Sequence, residues 1–463
     1  MKKLVSIAVF FLFGVSQMAV AQNKQVLYEF DQIPQTLLLN PGSKVNYKFT
    51  VGNPLLSGIY FRAGLTGIMV SDIFKNDGVD ANIKFRNALD KITVDDYIQF
   101  NSQIEIINGG FRLDEKNYIS AGFYTEIDIF GNMPKDILTL LNEGNAGHIN
   151  KRFLLSQVNL KADASSVLHF GLSRKVSEKL NIGARLKIYS GVANVTSTNN
   201  RGSFATRLGQ DNIYRHSLNG MNASAYTSGL DVENDGEGEE GDEVSSLLQR
   251  AFLGGNLGLG VDIGFSYRLN EQTEITASLL DLGFVSYSKN NRNFNITGSY
   301  FFSGIDFQFD GNNEDYWEDL NEDFQEKVPL VESSGSYAVM RPFKFNASVK
   351  HMWEKTRKLR SCYDMNYNDY FMNGFGAQLF SIARPTGLKW ALTGFYERRF
   401  LAGLMGKLTY TIDDFSYSNF GAGLSAKMGK VNIYTAIDNI FGLQNLANTN
   451  SVSFQIGVNL IFR

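Results

Sequence analysis

The C-terminal end of the chain shows the clearest alternation of apolar and polar positions. Every second residue from Val452 to Phe462 is apolar, and the residues between them are small or polar apart from Ile461. Because side chains alternate between the two faces of a β-strand, this pattern predicts a strand with one apolar and one polar face. Its length fits the ~9–11 residues that a tilted strand needs to cross a bilayer. The segment therefore predicts a membrane-spanning strand, and a last strand ending in an aromatic residue is typical of outer-membrane barrels.

The same two-residue period recurs through most of the chain. In the segment 257–268, apolar residues alternate with glycine, serine and Asp262, and in 119–129 they oppose Glu126 and Asp128. Charges are costly inside a dry sheet core but are hydrated in a wet barrel lumen, so these polar faces are predicted to point inward. The lipid-facing set includes Leu259, Ile263, Val458 and Leu460, and the inward set includes Asp262, Arg268 and Asn459.

The strand candidates together predict an all-β fold. With the last strand they indicate a transmembrane antiparallel β-barrel of about 14 strands, with polar hairpin turns near 174–181, 269–273 and 428–430. The other candidate strands are 57–69, 97–112, 119–129, 152–160, 165–176, 181–195, 257–268, 272–287, 342–353, 373–382, 388–398, 401–412, 418–428 and 431–438.

The first residues predict export. Lys2 and Lys3 precede an apolar run at 4–15, and an Ala-Val-Ala motif ends at Ala21. This arrangement is typical of a secretory signal peptide, so residues 1–21 are predicted to be removed by cleavage after Ala21. The alternative, an uncut membrane anchor, is disfavoured because the apolar core is short and ends at a small-residue site.

The next segment, 22–56, lacks the strand alternation and contains the turns Asn40-Pro41 and Asn53-Pro54. Such a segment has too many backbone polar groups to lie in lipid, and the lumen is the nearest wet or protein-lined place. We therefore predict that residues 22–56 form an N-terminal hatch inside a barrel that comprises 57–463. Interior charges of both signs, such as Arg62, Arg185, Asp128 and Asp262, are available to pair with it and with each other.

Long connections are predicted between several of the strands. They lie at 70–96, 131–150, 191–252 and 288–340, and alternate with short turns as expected for the two rims of an outer-membrane barrel. Within 131–150, residues 134–142 predict a short helix, because a proline stands at its start and Gly144 follows it.

Composition and charge exclude some functions. The formal net charge is −3, and losing two signal-peptide lysines makes it more negative, so nucleic acid is not an expected partner. The chain contains 36 phenylalanines, 21 tyrosines and 44 glycines but 7 prolines. This composition is rich in strand-forming and aromatic residues. Cys362 is the only cysteine, so no intramolecular disulfide forms, and it is interpreted as a small buried or lumenal side chain.

No residue set predicts catalysis or a cofactor. The acidic segment Asp231–Glu243 holds eight carboxylates in thirteen residues with an EF-hand-like spacing, but two ligand positions depart from the usual pattern and no helices flank it. A solvated acidic loop is therefore favoured over a calcium site. His148, His169, His216 and His351 are not spaced as ligands of one metal. We expect no catalytic, cofactor-binding or metal-binding residues and no enzyme activity.

Several stretches resemble an uncharacterised Bacteroidota family of outer-membrane barrels. That family is similar to FadL-like long-chain fatty acid transporters and to accessory barrels of the type IX secretion and gliding-motility system. The resemblance implies a 14-stranded barrel with an N-terminal hatch around Asn40-Pro41, and it implies no ligand-binding residue. The stretches that carry it are 38–42, 169–187, 277–284, 302–307 and 436–442.

Two functional hypotheses remain open at the level of the sequence. The first is a passive outer-membrane transporter of small molecules, with hydrophobic molecules among the candidates, or an accessory barrel. The alternative is a non-transporting interaction or plug subunit of a type IX secretion or gliding-motility complex. Outer-membrane lipid is the expected surrounding in both cases, and other outer-membrane proteins, such as a secretion translocon, are possible partners.

Overall fold

The computed structural model describes residues 24–209, 214–230, 245, 247–304, 316–356, 370–417 and 419–462. The predicted signal peptide, the acidic segment 231–243 and Cys362 lie outside these residues. No helix in the described ranges is long and apolar enough to cross a membrane.

Fourteen antiparallel strands close into a transmembrane barrel, as predicted. Each strand pairs with its neighbours in the order β1 to β14, and β14 pairs back with β1, so that Phe61 lies opposite Phe454. The strands are β1 (Phe49–Gly52 and Ile59–Leu65), β2 (Tyr97–Arg112), β3 (Asn117–Asn132), β4 (Leu160–Lys175), β5 (Leu180–Ser197), β6 (Asn256–Arg268), β7 (Thr273–Tyr287), β8 (Tyr337–Met340 and Lys344–Thr356), β9 (Tyr370–Arg384), β10 (Gly387–Leu401), β11 (Leu404–Ile412), β12 (Asn419–Met428), β13 (Val431–Ile437) and β14 (Ser451–Phe462).

The two faces of the wall differ as the alternation predicts. On β6, Leu259 is 54% exposed and Ile263 46%, whereas Asp262 between them is fully buried. On β14, Leu460 faces outward and Asn459 is 1% exposed. Since the outward residues are apolar and the inward ones polar, the outer surface suits lipid and the inner surface suits water or polar groups.

Replacing Ile263 with arginine tests this assignment. Ile263 lies outward near the middle of β6, so Ile263→Arg should lower the free energy of unfolding by roughly 2–4 kcal/mol, measured by urea unfolding in lipid vesicles. Leu269→Arg, in the exposed turn beyond the end of β6, is the matched control and should cost about 0–1 kcal/mol. Equal losses for the two variants would contradict a lipid-facing Ile263.

The two ends of the barrel differ in their connections. At one end most strands join through turns of two to four residues, such as 176–179 and 269–272, and we call this the short-turn end. The opposite, long-loop end carries the predicted long connections. Its helices are α1 (Val70–Phe74), α2 (Ala81–Lys91), α3 (Lys135–Glu143), α4 (Tyr316–Lys327) and α5 (Ile440–Gln444). The predicted helix at 134–142 is confirmed as α3, which ends at Gly144 with a positive φ of 70°.

The connections 191–252 and 288–340 contain more strand than the sequence indicated. The strand Tyr214–Ser228 pairs with Arg201–Leu208 on one side and with Asn291–Phe302 on the other. Asn291–Phe302 in turn pairs with Leu330–Ser333. These strands extend the sheet beyond the barrel. Their Ser- and Asn-rich sequence presents no fully apolar face, which is why alternation did not mark them.

Two predicted boundaries are wrong. The candidate strand 152–160 is a short strand, Arg152–Leu154, followed by the 3-10 helix Leu155–Gln157, and the barrel strand starts only at Leu160. The barrel wall also begins before residue 57, because Phe49–Gly52 pairs with both β2 and β14. The turn Asn53-Pro54 interrupts this first strand, and this interruption hid its alternation.

Candidate functional site

The interior of the barrel holds the N-terminal segment 24–47 and is the candidate functional site. The segment is compact: successive turns, such as the hydrogen bond from Ile33 N to Phe30 O at 2.9 Å, lead into the 3-10 helix Pro34–Leu38. Proline suits the first turn of a helix because its missing N–H would have no partner there. The Asn40 side chain then accepts from Gly42 N at 2.9 Å and closes the following turn.

That turn lies directly against glycines of the wall. A Cβ on Gly183 would lie 2.0 Å from the Pro41 carbonyl oxygen, and a Cβ on Gly264 would lie 2.2 Å from Asn40 Oδ1. Gly183 on β5 and Gly264 on β6 are direct partners in the sheet. Because neither glycine has a side chain, the turn can pack directly against the backbone of the wall at this point. A larger residue at either position would overlap the turn.

Polar side chains attach the segment to opposite sides of the wall. Gln35 Nε2 donates to Glu105 on β2 at 2.9 Å and to Asn459 on β14 at 3.0 Å. On the other side, the Glu29 carboxylate accepts from Thr276 on β7 and from Ser348 on β8, both at 2.7 Å. These bonds span the interior from β2 and β14 to β7 and β8.

Apolar packing adds to these hydrogen bonds. The aliphatic and aromatic side chains of the segment form a buried cluster with one residue from β11 and one from β13. Its members are Leu27, Tyr28, Phe30, Ile33, Leu39, Met405 and Tyr434. Two cavities border the 3-10 helix Pro34–Leu38, and each measures about 10 Å³, which is room for a single water molecule.

A second group of residues fills the interior nearer the long-loop end. Arg384, at the end of β9, binds Asp128 on β3 through two bonds of 2.5 and 3.1 Å. Arg341, between the two parts of β8, binds Glu126 on β3 at 3.1 Å and also Asp163 on β4. Since β3 is not a neighbour of β8 or β9, these bonds cross the lumen. We call this group the ion-pair layer; its members are Glu126, Asp128, Asp163, Asp281, Arg341, Lys344 and Arg384.

The ion-pair layer continues toward the N-terminal segment through β5 and β6. Lys187 lies 2.9 Å from Asp262 and 2.5 Å from Asp281. Arg185 contacts Asp262 at 3.3 Å and donates to the Leu37 carbonyl of the segment at 2.5 Å. Of the charges that the sequence made available for such pairing, Arg185 thus contacts both Asp262 and the segment, and a connected set of charges joins the layer to the segment.

The connection between β11 and β12 folds into the long-loop end. Phe415 is 2% exposed, and its ring centroid lies 5.0 Å from the Arg62 guanidinium carbon. Asp414 accepts from Tyr97 Oη at 2.8 Å and lies 3.4 Å from Lys389. Burial raises the pKa of Asp414 to about 6, although the Lys389 ammonium opposes this shift. Arg62 is inward as predicted, but within the described ranges its guanidinium nitrogens make no hydrogen bond.

Of the predicted interior charges, Arg185 and Asp262 meet each other, whereas the four histidines lie apart. His148 lies beside Glu143 at 2.7 Å, and the other three occupy β4, the strand 214–228 and β8. Among the described residues, no three His, Cys, Asp or Glu side chains are placed to hold a metal ion. Sequence reasoning missed Arg341 and Arg384, although each directly precedes a proline, which marks an interruption or end of a strand.

The described residues form a closed transmembrane barrel whose interior contains residues 24–47 and the ion-pair layer. The chain belongs to the family described as Family of unknown function (DUF5723), which matches residues 41–438. No curated protein matches the sequence.

Similar solved structures include a FadL homologue and two toluene transporters. A Pseudomonas aeruginosa FadL homologue is 10% identical, with 96% of this chain and 97% of that chain covered and a TM-score of 0.42. The Ralstonia pickettii toluene transporter TbuX is 10% identical, with coverage of 93% and 94% and a TM-score of 0.39. The Pseudomonas putida toluene transporter TodX is 10% identical, with coverage of 96% and 98% and a TM-score of 0.37.

Proposed function

We propose that the protein is a gated outer-membrane channel, a passive transporter of small molecules, and that the segment 24–47 is its plug. The observation that supports this best is the way the segment is held. Gln35 and Glu29 attach it to the wall through side-chain hydrogen bonds, and the partners on the wall are polar. If the segment moved away, water could replace every one of these bonds, so the wall would stay compatible with a hydrated lumen.

The size of the barrel agrees with a plugged channel. A barrel of eight strands is filled by its own side chains, and wider barrels leave a lumen that stays open or holds a plug. In this protein the N-terminal segment and the ion-pair layer occupy that space from the two ends. Transport then requires both to move, and the ion-pair layer is the closure on the long-loop side.

The outer membrane is the proposed location. The outward apolar residues and inward polar residues fit a barrel in lipid, and barrels of this kind have short periplasmic turns and long outer loops. The short-turn end would face the periplasm and the long-loop end the cell exterior. Export through the predicted signal peptide of residues 1–21 is part of the same proposal.

The filled interior also favours a second candidate, a non-transporting subunit of a larger outer-membrane assembly. The two cavities beside residues 34–38, in the interior, hold only single waters. At the long-loop end, Phe74, Leu141 and Trp317 are each more than 70% exposed. Apolar side chains on outer loops could contact another outer-membrane protein, such as a secretion translocon.

A reversible cross-link separates these two candidates. In a Cys362→Ser background, Gln35→Cys and Asn459→Cys would be joined by a reducible bis-maleimide, since the two native side chains meet at 3.0 Å. In planar bilayers we expect the unlinked protein to show brief openings on a low baseline. The link should abolish the openings, and its reduction should restore them.

The control is the single variant Asn459→Cys treated with the same reagent, which should keep its openings. Large stable channels from the intact protein would contradict a plugged channel. An absence of openings before linking and after reduction would favour the non-transporting subunit.

A further inference from the structure

A cavity beside the barrel interior opens at the short-turn end. It measures about 220 Å³, and two short turns, 113–116 and 176–179, and the N-terminal segment contribute to its lining. Water occupies about 30 Å³ per molecule, so the cavity has room for about seven waters or a solute of similar volume. Six of its lining residues are basic: Lys44, Arg112, Lys116, Lys175, Lys179 and Arg268.

The acidic residues of the cavity do not balance these charges. They are Glu115, Glu178 and Glu274, and Glu178 already pairs with Lys175 at 2.6 Å. Among the described residues, Lys44, Lys179 and Arg268 have no ion-pair partner within 4.0 Å. A concave surface with an excess of one charge concentrates ions of the opposite charge.

Lys44 shows the effect of this excess. Desolvation of its ammonium group within the cavity lowers its pKa, and the positive charge of Arg268 lowers it further. Two cations that face one cavity repel each other, and an anion placed between them would relieve the repulsion. The geometry therefore favours an anionic occupant over an apolar or cationic one.

We propose that this cavity binds a small soluble polyanion, a molecule with two or more carboxylate or phosphate groups. Charge-assisted hydrogen bonds from lysine and arginine suit such groups. On the strands, the lining residues Ser173 and Ser266 are buried, whereas their neighbours Leu172 and Tyr267 point outward. A lipid headgroup outside the wall would not reach the cavity, so a solute is favoured. The site does not depend on whether the barrel transports.

A bound polyanion would connect the N-terminal segment to the wall. Lys44 belongs to the segment, and Lys179 and Arg268 belong to the turns and strands around it. One anion that contacts both sides would hold the segment in place at the short-turn end. Ser43, next to Lys44, is 8% exposed, so the accessibility of a label at this position would show whether the segment is held in place.

Isothermal titration with citrate tests the site, on the full protein in phosphatidylcholine nanodiscs. The expected result is saturable binding of one citrate per protein. The citrate affinity should fall about tenfold or more in Lys44→Gln/Arg268→Gln, because each charge-assisted contact contributes a factor of about three or more. Lys430→Gln removes an exposed lysine from another short turn and should leave binding unchanged. Citrate should also slow maleimide labelling of Ser43→Cys in a Cys362→Ser background.

Three results would overturn the proposal. The first is an absence of saturable citrate binding in the native protein, and the second is a loss of affinity in Lys430→Gln as large as in the double variant. The third is a loss of citrate binding when phosphatidylglycerol is added to the nanodisc, because this would identify a lipid headgroup as the occupant. Lys179→Gln, a single change in an exposed turn, gives a second variant should the double variant fail to fold. Native citrate affinity in Lys179→Gln would also count against the site.

Discussion

Deleting residues 24–47, together with the substitutions Arg341→Ala and Arg384→Ala, is expected to turn a closed barrel into one with steady ion conductance. The deletion removes the segment that spans the interior, and the two substitutions remove both arginines that pair across the lumen. What remains is a wall of polar inward side chains, which water can fill. Planar-bilayer recordings in potassium chloride measure the effect.

The limits of the deletion matter for this experiment. It stops at Tyr47, because Phe49–Gly52 pairs with β2 and β14 and belongs to the wall. The deletion alone should give a smaller conductance than the combined variant, since the ion-pair layer still crosses the lumen. Retention of heat-resistant mobility in gels shows that each barrel has folded. A folded combined variant without conductance would contradict the plugged channel and favour the non-transporting subunit.

Breaking the Asp128–Arg384 pair is expected to destabilise the barrel strongly. Both residues are at most 8% exposed and are joined by two hydrogen bonds. In Asp128→Ala the Arg384 guanidinium loses these bonds, and such a loss typically costs about 3–5 kcal/mol in the free energy of unfolding. Urea unfolding in lipid vesicles measures the change.

The exposed pair Lys91–Asp72 is the matched control. Its N–O distance of 2.7 Å is also short, but the lysine side chain is 54% exposed and lies in the loops. Asp72→Ala should therefore cost no more than about 1 kcal/mol. The double variant Asp128→Ala/Arg384→Met removes both charges and should recover most of the stability lost in Asp128→Ala. Similar costs for Asp128→Ala and Asp72→Ala would show that the crossing pair is hydrated and not part of a closed layer.

Local patterns in the sequence were enough to predict the barrel wall. Which face a side chain takes depends only on its position along its own strand, so Leu259 and Asp262 were assigned correctly without knowledge of their neighbours. The helix α3 was equally local, because its proline and Gly144 stand at its two ends. The strand count followed from the same alternation. The alternation did not give the correct strands at 152–160, in the hairpins beyond the wall or in the first part of β1. In these segments the alternation is short or lacks a fully apolar face.

Only the tertiary structure decided what fills the barrel. Arg384 and Asp128 are 256 positions apart, and Glu29 and Ser348 are 319 apart. Such pairs depend on which strands face each other across the closed wall, and strand alternation contains no information about that. The sequence by itself therefore determined a transmembrane barrel with a charged interior and a non-strand N-terminal segment. The closed fold determined where that segment lies and which charges meet, because contacts across a lumen form only when the last strand pairs with the first.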